Sequence, residues 1–89
     1  MNYPKIKSVT AEEDSQLLVV FDNGAAKLYD CKPLLATDVF EPLRQDWFFR
    51  LVKPDVGGYG VIWDENLDLS ESELWENGRE VELHPAADD

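Results

Sequence analysis

The sequence predicts an α+β fold. It reads as a small antiparallel sheet of about five short strands, helical turns near residues 33–49, and one short capped helix over residues 71–77. Three observations predict it. Short apolar-rich runs recur at close spacing through the first two thirds of the chain, divided by polar or glycine-containing reversals. Asp22-Asn23-Gly24 joins two of these runs with residues that tolerate positive φ, as a tight hairpin turn demands. Ser70 and Glu73 stand at capping-box spacing immediately before Leu74 and Trp75. A length of 89 residues suits a single domain over 1–89, with loose ends at about 1–4 and 84–89.

Lys5–Ala11 is expected to be the first strand, and Glu12-Glu13-Asp14-Ser15 a polar turn. Gln16–Phe21 is the second strand, apolar at five consecutive positions. Unbroken apolarity predicts that both faces are covered, one by the core and the other by a helix or a second subunit. Ala25–Asp30 follows, with Ala26 and Leu28 on one face and Lys27 and Tyr29 on the other. Pro33 and Pro42 break any ladder, so short helical turns are expected there, and Asp46 is placed to cap one over Trp47–Arg50. Trp47, Phe48 and Phe49 cannot all point inward from so short a turn, so one of them belongs at the surface. Arg50–Lys53 and Tyr59–Trp63 complete the five strands, with Val56-Gly57-Gly58 reversing the chain between them. Asp64–Asp68 reads as a polar loop leading to the helix. Leu69 and Leu74 flank the Ser70 cap as a hydrophobic staple, and Asn77-Gly78 stops the helix. Such a short helix persists only when docked on a sheet. Arg79–Leu83 alternates apolar and charged residues, as a short edge strand does.

Charge narrows the function. Residues 1–53 carry seven basic and eight acidic side chains, whereas residues 54–89 carry one basic side chain, Arg79, and eleven acidic ones. That field repels phosphate backbones and anionic membranes, so neither nucleic acid nor membrane is an expected partner. Acid also keeps a small domain in solution. The compatible ligands are a basic protein or a cation. One cysteine, Cys31, cannot form an internal disulfide, and the N-terminus shows no apolar leader, so a cytoplasmic location is expected.

Chemistry finds little footing. Asp64, Asn66 and Asp68 imitate the opening of a calcium loop, but Leu69 stands where glycine is needed and Trp75 where a bidentate glutamate is needed. One cysteine and one histidine, His84, exclude a zinc site of the usual donor set. Gly57-Gly58-Tyr59-Gly60 lacks the lysine of a phosphate loop. No catalytic residue, metal site or cofactor is assigned.

Tyr3-Pro4-Lys5-Ile6, Val20–Gly24, Tyr29-Asp30, Phe40 with Leu43, and above all Ile62–Ser70 followed by Leu74-Trp75 and Asn77-Gly78 resemble the small bacterial family called domain of unknown function 2442. The resemblance implies a small α+β fold and supplies no catalytic residues. Some members continue into a helix-turn-helix domain. Stand-alone members are often encoded beside domain of unknown function 4160, which implies an antitoxin role with a partner of that family. The resulting expectation is a non-enzymatic, acidic protein-interaction module that binds a basic protein. The residues assigned to its contact surface are Trp63, Asp64, Glu65, Asp68, Trp75 and Glu76, with Trp63 and Trp75 open to a core role instead. The alternative is a regulatory domain that binds a small ligand or a cation. A homodimer through the second strand or the edge strands is a further expectation.

Overall fold

The computed structural model describes residues 2–83. The expected loose end at 84–89, with His84, lies outside the described residues, as does Met1.

The architecture is α+β, with two antiparallel sheets in place of the expected one. The larger has four strands in the order β1 (Ile6–Glu12), β2 (Gln16–Phe21), β3 (Ala26–Asp30) and β7 (Arg79–Val81). The smaller has three, β4 (Lys53–Pro54), β5 (Gly60–Asp64) and β6 (Leu67–Ser70). Between them in sequence lie two 3-10 turns, Lys32–Ala36 and Glu41–Arg44, and the one-turn helix α1 (Asp46–Phe49). The second helix, α2, spans Glu71–Asn77.

The β2–β3 hairpin closes as its sequence predicts. Gly24 adopts φ +91, its N–H donates to the Phe21 carbonyl, and Ala25 N–H donates to the Asn23 side chain. β2 itself alternates between buried and half-buried residues. Leu17, Val19 and Phe21 face the core, whereas Leu18 and Val20 lie on the other face and are not part of the core cluster. Coverage of both faces, expected from the unbroken apolar run, is therefore not found among the described residues.

Three further expectations are corrected. Arg50–Lys53 is not a strand: pairing begins at Lys53, because Arg50 to Val52 close the turn after α1 through N–H donation to Asp46, Phe48 and Phe49. Asp46 does not cap α1. It sits at the first helical position, where its carboxylate pairs with Arg50 one turn later, at 2.9 Å. Leu67–Ser70 is a strand and not a loop. Leu67 and Leu69 are buried and Asp68 and Ser70 exposed, the period of two that a half-buried strand shows.

The α2 cap is half as expected. Ser70 Oγ accepts from Glu73 N–H at 3.2 Å. The Glu73 carboxylate does not reach back to the cap; it accepts instead from the Tyr29 hydroxyl at 2.7 Å, on the other sheet. Gly78 ends the helix in extended backbone, with its N–H on Leu74 O. A side chain there would crowd that same oxygen, 2.6 Å from an ideal β-carbon, and the stem of Lys27.

The inner faces of the two sheets share one core with Leu74 of α2 and Leu43 and Phe49 of the connecting segment. Cys31 and Tyr29 belong to it. Burial, then the nearby Asp30 charge, pushes the Cys31 thiol up to about 12. Burial, then the Glu73 carboxylate, pushes the Tyr29 phenol far above its usual range.

A β-carbon at Gly60 would collide with the Leu69 carbonyl across the β5–β6 pair, whereas one at Gly24 meets open space and only a strained φ. Gly60→Ala should cost about 3 kcal/mol and Gly24→Ala about 1 kcal/mol, measured by chemical denaturation. Tyr29 and Cys31 hold protons in the folded state that the unfolded chain releases at its ordinary values, 10.0 and 9.0. Stability should therefore be full below pH 9 and fall as pH rises through and beyond those values. A Tyr29→Phe, Cys31→Ala double variant should show a shallower alkaline decline; an unchanged slope would contradict the assignment.

Candidate functional site

The sequence-predicted residues fall in two places. Asp64 and Glu65 form the exposed tip of the β5–β6 hairpin with Asn66. The tip is shaped locally: Asp64 Oδ1 accepts from Asn66 N–H at 2.8 Å, the usual service of aspartate in a turn. Asp68 follows on the outer face of β6, where the register sets it beside Ile62, with Lys53 beyond. Asp64, Asn66 and Asp68 thus serve a turn and a strand. Among the described residues no three His, Cys, Asp or Glu side chains converge as a metal ion would require, and no pocket is enclosed.

The second place is α2. Glu76 is exposed and accepts from the Tyr3 hydroxyl, which ties the N-terminal segment to the helix. That bond, with further contributions from desolvation and the Glu76 charge, raises the Tyr3 phenol above its ordinary value. Trp75 is half-buried. Its ring meets Phe21 edge-on at 5.1 Å, and Lys27 Nζ stands 4.4 Å from its centroid.

Trp63 is core, not contact surface. It is 5% exposed, stacks on Phe49 at 6.1 Å, and donates its indole N–H to the Phe49 carbonyl at 2.9 Å. The inward parity of β5 puts it there, between Val61 and the hairpin. It braces the base of the acidic tip and is not available to a partner.

The exposed aromatic lies elsewhere. Trp47 on α1 is 67% exposed, with Leu51 at 54% one turn further along. Its indole rests edge-on against Phe48 at 5.7 Å. Counting helical positions identifies a surface residue among Trp47, Phe48 and Phe49, but not which one. The structure decides by burying Phe49 and half-burying Phe48. Tyr59, 57% exposed, lies under Lys5 Nζ at 4.6 Å.

Electrostatics separates the two halves of the chain. The ion pairs recorded among the described residues are Lys32 with Asp14 and Asp30, Arg44 with Glu41, and Arg50 with Asp46. All lie between residues 14 and 50. Lys32 is raised by hydrogen bonds first to Asp30 and then to Asp14, and Asp30 is lowered, chiefly by the Lys32 backbone N–H. Asp64, Glu65, Asp68, Glu71 and Glu80 take part in none of these pairs. Glu73 and Glu76 accept from Tyr29 and Tyr3, and the hairpin carboxylates and Glu71 lie outside the ion pairs recorded among the described residues, so what the exposed acids can do chemically is attract positive charge.

A search of curated proteins and one of solved structures each return no match. The family model described as protein of unknown function (DUF2442) matches residues 6–80, which takes in every strand but the last residue of β7 and both helices. The chain belongs to that family.

Proposed function

We propose that the protein is a non-enzymatic interaction module that binds a basic protein partner through its acidic surface. Asp64 and Glu65 at the hairpin tip lead the contact, with Asp68, Glu71 and Glu76 behind them. One observation carries this reading: the ion pairs recorded among the described residues all lie between residues 14 and 50, and none of them includes Asp64, Glu65, Asp68, Glu71 or Glu76. An unpaired acidic surface speeds encounter with a positive protein and steers its orientation. Affinity then comes from apolar anchoring, for which Trp47 with Leu51 is the exposed candidate. Neutralisation of a toxic partner of the domain of unknown function 4160 family is the specific form proposed, supported by the family resemblance. The proposed location is the cytoplasm, where a buried reduced thiol such as Cys31 is at home.

The partner captured from the native host supplies the test. Asp64→Lys with Glu65→Lys should slow association about tenfold at low salt and flatten its salt dependence, read by stopped flow. An unchanged rate would remove the hairpin from the interface. Trp47→Ala should keep the fold and cost about 2 kcal/mol of binding, roughly thirtyfold in Kd, by calorimetry.

A further inference from the structure

We infer that the outer face of the four-stranded sheet is the contact surface of a homodimer, in which two copies of this chain pack sheet against sheet. The register fixes what this face presents. One row across the strands is Thr10, Leu18, Leu28 and Arg79. The next is Ser8, Val20, Ala26 and Val81. Beyond the first, toward the β1–β2 turn, stand Glu12, Gln16 and Asp30. The apolar centre belongs to no part of the core cluster, and α2 lies on the opposite face, against Phe21, Lys27 and Tyr29. A sheet with one face in water normally carries polar residues there; this one carries Leu and Val at its middle.

Charge and register select a second copy as the occupant. A basic partner would gain little here, because among the described residues the face carries acids at one end alone and Asp30 is already paired with Lys32 at 3.0 Å. The strand order β1-β2-β3-β7 is balanced about the line between β2 and β3. A two-fold axis along that line lays β1 of one copy over β7 of the other, and β2 over β3. Leu18 then meets Leu28 of the second copy, and Val20 lies over Ala26, which at 3% exposure is already enclosed by its own neighbours and adds little contact. Arg79 lies over Thr10, with Glu12 one step along the same strand, so each copy offers a cation to the other's carboxylate. Asp30 lies over Gln16. No acid stands directly opposite an acid, although the Glu12 and Asp30 carboxylates of both copies gather at one end of the contact.

Four strands about 4.8 Å apart, and about 20 Å long, give a footprint of about 400 Å² per copy. That is about half of what a standard interface takes from each partner, so the dimer is weak and dilution separates it. Because α2 stays free on both copies, this inference stands apart from the basic-partner reading.

Sedimentation of the full chain over a dilution series tests it. The expected result is a mass that approaches twice that of the chain at high concentration and falls to one chain on dilution. Arg79→Glu and Glu12→Arg should each raise the dissociation constant about tenfold, and the double variant should recover most of that loss. Leu18→Glu should abolish the dimer while near-ultraviolet circular dichroism stays native; if that variant unfolds, the charge-swap pair decides alone. A single-chain mass at the highest concentration overturns the inference. So does a dimer indifferent to Arg79→Glu.

Discussion

Docking of α2 between the two sheets is the constraint on which the rest of the structure depends. The helix grows directly out of β6, so it is tethered to the small sheet by the chain itself. Its hold on the large sheet is made by side chains: Leu74 is fully buried, Trp75 leans on Phe21 under Lys27, and Glu73 accepts from Tyr29. Seven residues are too few for a stable helix in water, so these contacts and the Ser70 cap must hold it. Once α2 is seated, β7 is delivered to the edge of β3, and the large sheet is complete.

The same arrangement explains why the acids face outward. A helix that spends Leu74 and Trp75 on the core can turn only its remaining sides to water, and those sides carry Glu71 and Glu76. The hairpin repeats the logic with period two, burying Trp63, Leu67 and Leu69 while exposing Asp64, Glu65 and Asp68. No buried side-chain polar atom among the described residues is left without a hydrogen bond, so the core gives no electrostatic reason for the surplus of acid. The surplus belongs to the surface.

Local signals were legible in the sequence, and distant pairings were not. Asn23-Gly24 and Ser70 act within four residues of themselves, and both did what their chemistry specifies. The Glu73 carboxylate found Tyr29, a residue 44 positions away, and no spacing rule points there. β6 was hidden because Asp68 and Ser70 resemble a polar loop until Leu67 and Leu69 are read as the other half of an alternation. The division into two sheets depends on which strands pair, which is a property of the whole chain. In the candidate site, the acidic residues could be read from composition alone. The depth of each indole could not, because it depends on partners such as the Phe49 carbonyl.

That difference in depth gives the molecule an intrinsic optical gauge. Trp63 is sealed beneath the hairpin, Trp75 is half-shielded at the joint between helix and sheet, and Trp47 stands in water. A collisional quencher reaches them in the reverse order. Single-tryptophan versions of the chain would therefore report separately on the small sheet, the seating of α2 and the outer side of α1, with no dye attached.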